Sequence, residues 1–507
     1  MLAALAGFVA LQAVAVLRAG VFEYPLDDVY IHLAMASNMA HGTYGVNAGE
    51  AASASSSILY PVLLMPFPNT EVQRLLPLFW NTLAVAGCGW VWGRIAQEAG
   101  LSGIYGAVVA VAAPICLNMS GVGYTGMEAA PHMLASLLIV LGLWRALTGR
   151  GVAPWLILAA IAAPLLRYEG LALALTASAA LFFDGERRAA ALIAVGAIGG
   201  VLAFSLFLVG LGLDPLPNSV LAKSAGLDPQ DGSALRLLIR FIINVTDIAK
   251  PAGAIIGGLV AAVLLFLLAF PALRRGATVW LLAVVALSAL GHLALGKIGW
   301  MHRYEPYLLA SLIGAILLAA TAVSGVPRKI LRGTAIVAGL AAGLAYLPGL
   351  WGVYTWNPRA IHLQQAQMAR FAQDYLKVPV AVNDLGRVAW GNPDYVLDIW
   401  GLGSAEARKI RFGPVRPAPG WAAALAAEHG VRAAMIYDDW FGTAAGPDWV
   451  RTGALGVKNE RGDLGGWVVA LYATDPNYAD EMRAQLEKFA PSLPKDAVLM
   501  LEPEVKS

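Results

Sequence analysis

The sequence predicts a polytopic α-helical membrane protein of about 11 transmembrane helices, carrying a C-terminal extracytoplasmic α/β domain. Three observations predict this class. The 507 residues are 58% hydrophobic and only 13% charged, with mean hydropathy +0.65. A soluble domain carries about 25% charged residues. Apolar stretches long enough to span a bilayer recur from the N-terminus to about residue 350. Beyond that point the pattern changes to short β-branched runs between turn residues.

The candidate spans are 2–20, 71–93, 101–118, 127–147, 152–166, 169–183, 189–211, 253–273, 277–296, 305–324 and 330–350, of which the fifth and sixth are short. The first has no basic segment before it and more spans after it, so it reads as a transmembrane helix rather than a cleaved signal peptide. Short loops alternate in charge. Arg94, Arg145, Arg150, Arg187, Arg188, Arg274, Arg275, Arg328, Lys329 and Arg332 fall on one side. The positive-inside rule places that side in the cytoplasm. The Asp27–Asp28 loop, 118–128, 167–169, 214–250, 297–305 and everything after Tyr354 then lie outside. The N-terminus is inside and the C-terminus outside, as an odd number of spans requires. The chain is a multi-pass membrane protein on this reading, with a transmembrane module over 1–354, an outer loop over 21–70 and an outer domain over 355–507.

The net charge of +2 gives no sign of a nucleic-acid partner. Cys88 and Cys116 sit in apolar stretches and read as packing residues. In the outer domain, "VPVAVNDLG", "YVLDIWGLG", "VRAAMIYDD" and "GWVVALYAT" read as strands, and "WAAALAAEHG" and "YADEMRAQLEKFA" as helices. That alternation predicts an α/β domain. No GxGxxG, Walker, HExxH or CxxC motif is present.

Charge at the edge of a membrane bundle is costly, so each such residue is a candidate for function. The unusual polar clusters all fall on the outer side. Asp27 and Asp28 follow the first span. An acid there could cap and anchor the following helix; it could also serve as a general base. The segment 28–39 reads as an amphipathic helix on the membrane surface. Glu128 stands at a helix start, with His132 one turn on. Arg167, Tyr168 and Glu169 interrupt an apolar region, either as a local ion pair or as part of an outer cavity. Asn218, Lys223 and Ser224 lie in the longest loop, and His302, Arg303, Tyr304 and Glu305 at the mouth of a span. Arg grips phosphate bidentately and Lys acts as a point charge, so these cations suit a phosphate leaving group. An outer cavity with a carboxylate, several cations and an apolar surround fits a substrate that is part lipid, part phosphate and part sugar.

"DDVYIHLAMASNMAHGTYGVN" resembles the first outer loop of bacterial GT-C glycosyltransferases, through Asp27, Asp28, Tyr30, Ile31, Asn38 and Gly42. "TGMEAA", "RYEGLAL", "PNSVLAKS", "HRYEPYLLA" and "NDLGRVAWGNPDYVLDIWGL" are similar to further family segments, in family order. The match is closest to arabinofuranosyltransferase-like members. It departs at Met35 and Ala36, where the family carries an Arg-Tyr pair, and at Tyr168, where it carries a proline.

The resemblance implies transfer of a sugar, with arabinofuranose the first to consider, from a polyprenyl-phosphate donor to an extracytoplasmic glycan, lipid or protein acceptor. Asp27 or Asp28 would deprotonate the acceptor hydroxyl or stabilise an oxocarbenium-like transition state. Lys223 and Arg303 would hold the departing phosphate. His302, Arg167, Glu128 and Tyr30 would complete the donor site, and the outer domain would guide the acceptor. A divalent cation (Mg, Mn or Ca) at Asp27 and Asp28 would be the cofactor, if there is one. A lipid-linked sugar flippase is the alternative, but a transporter places charge at the membrane midplane and repeats its halves. A non-catalytic scaffold would leave the acid pair without a purpose.

Overall fold

The computed structural model describes residues 1–224, 246, 250–413, 415, 417–463 and 465–502, without the side chains of residues 223 and 224. Eight described helices are long and apolar enough to cross a membrane: Leu2–Ala19, Glu71–Glu98, Gly103–Tyr124, Ala129–Arg150, Arg187–Gly210, Pro251–Ala269, Gly276–Leu295 and Gly325–Leu376, the last by its N-terminal part. The chain is thus a multi-pass membrane protein with a small sheet domain at its C-terminal end. Three shorter apolar helices, Pro154–Leu166, Gly170–Phe183 and Pro306–Ala322, stand among them. A 13-residue helix rises about 20 Å, less than the roughly 30 Å hydrocarbon core. Counting these three as spans gives the expected eleven; length and composition establish eight.

Local signals set the helix ends. Gly20, at φ 75°, closes Leu2–Ala19 by donating its N–H to the Val16 carbonyl, a left-handed stop that glycine adopts without penalty. Thr70 caps Glu71–Glu98 by accepting from the Gln73 N–H. The helix Pro306–Ala319 is buried at every residue. It forms the centre of the bundle, consistent with its apolar character all round.

The loop between the first two long helices holds the helix Asp28–Ala40. Its residues Val29 to Ser37 are all buried. The expected helix on the membrane surface is therefore corrected: both faces are covered. The C-terminal domain closes over one side, with the Trp390 ring 5.8 Å from that of Tyr30 and the Trp390 indole N–H donating to Gln73 at 2.9 Å. A helix enclosed by two layers needs no polar face.

The C-terminal domain contains one six-stranded sheet of order β2-β1-β3-β5-β4-β6. Its strands are β1 Val380–Val382, β2 Val396–Asp398, β3 Ala433–Ile436, β4 Val450–Val457, β5 Val468–Ala473 and β6 Ala497–Leu501. Strand β1 pairs in parallel with both β2 and β3, and the remaining pairings are antiparallel. Four strands coincide with the runs read from sequence. Strands β4 and β6 were not anticipated; Gly453 and Gly456 dilute the β-branched signal of the former.

Candidate active site

Asp27 and Asp28 begin the buried outer-loop helix, and the structure gives them different partners. Asp27 sits at the N-cap position, but its carboxylate does not cap its own helix. It reaches the C-terminal domain instead, accepting the Gly386 N–H at 2.6 Å on Oδ2 and the Arg387 N–H at 2.8 Å on Oδ1. Gly386 must be glycine for this approach. A Cβ there would stand 2.8 Å from Asp27 Oδ2 and closer still to the Asp27 carbonyl oxygen. Burial, then the charge of nearby Asp384, push the Asp27 carboxyl above the usual carboxylate range, against the two backbone donors. Asp384 follows β1 and accepts from the Gln365 amide at 2.8 Å and the Tyr437 hydroxyl at 3.1 Å.

Asp28 keeps a side chain that is 37% exposed and meets Arg303 at 2.6 Å. Arg303 is buried, and its Nη2 also donates to the Tyr304 hydroxyl at 3.2 Å. Its Nε and Nη1 are enclosed and have no hydrogen-bond partner among the described residues. Buried donors without acceptors are rare, because each costs about 1–3 kcal/mol.

A left-handed turn presents Arg303: Gly299, Trp300, Met301 and His302 take φ values of 99°, 43°, 54° and 51°. Three consecutive non-glycine residues in this region carry strain. The surroundings hold the turn in place. Glu305 accepts the Gly299 N–H at 3.0 Å and the Tyr346 hydroxyl at 3.1 Å. Asn118 donates to the His302 carbonyl at 2.9 Å.

A second ion cluster adjoins the first through Tyr304, whose ring lies under both Arg303 and Arg167 at 5.2 and 5.0 Å. Arg167 bridges Glu128 at 2.7 Å and Glu169 at 3.1 Å. Glu128 also accepts from the Ser56 hydroxyl at 2.9 Å and lies 3.5 Å from His32. Burial would raise its carboxyl, but Arg167 and His32 outweigh this and hold it at about 2.

The sequence-predicted residues thus fall into groups. Asp28 and Arg303 meet directly. Arg167 and Glu128 pair one layer away. Tyr30 is buried, its hydroxyl without a partner among the described residues and its ring 5.1 Å beneath Arg387. The His302 ring packs between Tyr346 and Tyr354, at 4.9 and 5.3 Å. Burial lowers its pKa to about 4. The sequence expects it in the donor site; here the ring packs on two aromatic neighbours. The side chain of Lys223 lies outside the described residues; its helix, Asn218–Ser224, begins against the outer loop, where Ser219 donates to the Ser55 carbonyl at 2.8 Å. Asp384 and Arg387 stand in a segment likened to the family but are not singled out by the sequence as site residues. For both, the D-x-G turn after a strand was the available signal.

The acid pair does not fit the divalent cation considered above. Both Asp27 oxygens accept backbone N–H groups, and Asp28 faces a guanidinium. Among the described residues, no group of three or more His, Cys, Asp or Glu side chains is placed to share a metal ion.

Residues 357–479 match the model of a domain of unknown function, DUF8728. No curated protein matches the chain. A solved structure of an oligosaccharyltransferase from Archaeoglobus fulgidus, described as a complex with Zn and sulfate, is similar at 12% identity and TM-score 0.45, over 98% of this chain and 75% of that one.

Proposed function

We propose that the chain is a membrane glycosyltransferase that moves a sugar from a polyprenyl-phosphate donor to an acceptor hydroxyl outside the cytoplasm. Residues 1–354 form the transmembrane catalytic module, of eleven spans with the N-terminus cytoplasmic, and 355–507 the outer domain that guides the acceptor. The acceptor is a glycan, lipid or protein, and arabinofuranose is the first donor sugar to test.

The observation that carries this reading is the Asp28–Arg303 pair at 2.6 Å with two enclosed guanidinium donors left over. A carboxylate and an anion-binding fork stand side by side at the edge of an apolar bundle. In this reading, the donor phosphate competes with Asp28 for the guanidinium of Arg303, whose unpartnered N–H groups let it rearrange to take the anion. Released from Arg303, the Asp28 carboxylate accepts the hydroxyl proton as the acceptor oxygen bonds to the anomeric carbon, or stabilises positive charge at that carbon. Arg303 stabilises the phosphate as the glycosidic C–O bond breaks and the oxygen leaves with the bonding electrons. Asp27 holds the two modules in register, Arg167 and Glu128 keep Tyr304 and Arg303 in place, and Tyr30 lines the wall below Arg387. Lys223 remains a candidate second phosphate ligand.

The test is sugar transfer in membranes overexpressing wild type, Asp28→Asn and Arg303→Gln, with radiolabelled polyprenyl-phosphate sugars as donors, starting with arabinose. Transfer by wild type and loss of at least about 100-fold in folded Asp28→Asn is expected. Full activity in that variant would refute the assignment of Asp28.

A further inference from the structure

The opposite end of the bundle holds a second set of unneutralised charges. Helices Pro251–Ala269 and Gly276–Leu295 are joined by the short turn Pro271–Arg274. Pro306–Ala319 and Gly325–Pro348 are joined through Ala320–Ala322. The helix after Arg303 runs away from Asp28, so these turns lie on the far face from the candidate active site. Between the two turns is an open depression of about 420 Å³, lined by Phe270, Pro271, Thr321, Val323, Ser324 and Arg328.

Arg328 is fixed at this depression. Its Nε donates to the carbonyls of Val323 at 2.7 Å and Ala320 at 3.2 Å. Its terminal nitrogens have no protein acceptor among the described residues. Arg274, Arg275, Lys329 and Arg332 lie on the same face. None of these five cations forms an ion pair among the described residues. From Pro251 to Leu350 the chain contains a single acid, Glu305, at the other end of the bundle. Glu98, on the same face, is already bridged by Arg145 and Arg150.

Helices Pro251–Ala269 and Gly325–Pro348 carry a second, mostly apolar groove of about 390 Å³ between them, lined by Gly258, Leu259, Thr334, Val337, Ala338 and Ala341. Its lining runs from 6 to 13 residues beyond Arg328 on that helix, about 9–20 Å deeper at 1.5 Å per residue. Half of a bilayer core is about 15 Å thick. A cationic, hydroxyl-bearing depression thus sits at headgroup level, with a mostly apolar slot between two of these helices at acyl-chain depth. Exposed Leu264, Leu265, Leu268, Val326 and Ile330 flank them.

We propose that this is a binding site for one anionic phospholipid of the leaflet opposite the α/β domain. The phosphodiester pairs with the terminal nitrogens of Arg328 and with the Ser324 hydroxyl, Arg274 and Arg275 add long-range attraction, and one acyl chain fills the slot against Gly258 and Ala338. The depth match between the depression and the slot favours a lipid over a free phosphate ion. The proposal does not rest on the glycosyltransferase reading.

The experiment is native mass spectrometry of the full chain released from nanodiscs of phosphatidylcholine doped with phosphatidylglycerol. Wild type should retain one phosphatidylglycerol with roughly tenfold preference over phosphatidylcholine. Arg328→Gln should lower this about fivefold, the effect of about 1 kcal/mol per cation near a membrane surface, and Arg328→Lys should restore most of it. Ala338→Phe, which fills the slot and leaves every cation in place, should also lower retention. Melting temperatures within a few degrees of wild type establish that the variants are folded. Equal retention of the two lipids by wild type, or unchanged retention in folded Arg328→Gln, would overturn the proposal. So would complete displacement of the lipid by millimolar inorganic phosphate together with full retention in Ala338→Phe, because that marks a simple ion site.

Discussion

Gly386→Ala tests how the membrane module and the sheet domain are joined. The added Cβ would stand 2.8 Å from Asp27 Oδ2 and overlap the Asp27 carbonyl oxygen. Neither obstacle is the flexible end of a long side chain, so the short helix Gly386–Ala389 must move off the start of the outer-loop helix. The movement breaks the 2.6 and 2.8 Å bonds from the Gly386 and Arg387 N–H groups to Asp27. A hydrogen bond to a charged group contributes about 1.5–3 kcal/mol, so losing two weakens the junction by roughly 3–6 kcal/mol. The readout is amide hydrogen exchange over residues 384–390. If these amides exchange by local opening at this junction, protection should fall by about two powers of ten or more, since each factor of ten is about 1.4 kcal/mol. Asp27→Asn retains one acceptor oxygen and should lose about half as much in free energy. Sugar transfer should fall in both variants, because Asp28 is the next residue and a shift of about 1 Å at a reacting group can cost about 100-fold. Wild-type protection in Gly386→Ala would refute the argument.

Other perturbations address the remaining contacts. Arg303→Lys keeps a positive charge opposite Asp28 but removes the planar fork; transfer should drop by about 10- to 100-fold with little change in melting temperature, and an unaltered rate would show that the fork is not used. Glu128→Gln leaves the buried Arg167 with only Glu169 as an anionic partner among the described residues, which should destabilise the fold by roughly 3 kcal/mol, read as a lower melting temperature, with part of the loss restored by adding Arg167→Gln. The junction should also depend on pH. The Asp27 and Asp384 carboxyls are both raised, by burial first, so the folded state binds protons more tightly than the unfolded chain. Their contribution is then greatest below the ordinary Asp range and is lost as pH rises through the raised values. Exchange at residues 384–390, corrected for the intrinsic pH dependence, should quicken over that interval, and Asp384→Asn should flatten the response; a flat wild-type profile would contradict this.

The sequence made the bundle legible because span length and loop charge are local properties. Each apolar stretch coincides with an apolar helix, and the adjacent acids were conspicuous beside the first. What it could not convey were partners far along the chain. The Asp27 contact to Gly386 crosses 359 residues, and the Asp28 contact to Arg303 crosses 275. The helix Asp28–Ala40 was misread for a related reason. Its faces are buried by different modules, so no polar side marks its setting. His302 looked equivalent to Arg303 by adjacency. The left-handed backbone at φ 51° separates them, directing the arginine toward Asp28 and the histidine between two tyrosines. Strand β4 escaped notice because its glycines carry no side-chain preference, and its pairing with β5 and β6 supplies what its sequence lacks.

The adjacent acids also show how one physical difficulty can separate two roles. Neighbouring carboxylates at the edge of a low-dielectric bundle repel, and each needs compensation. Asp27 finds it in two backbone N–H groups, which are fixed, uncharged and belong to another module. Asp28 finds it in a guanidinium with further N–H groups that have no partner among the described residues. The first arrangement has no donor left to exchange, so it suits a structural junction. The second can change when an anion arrives, because Arg303 can redistribute its bonds without moving its backbone. The more exposed carboxylate is therefore also the one whose partner an anionic substrate can take, and on that ground we propose Asp28, not Asp27, for the reacting role.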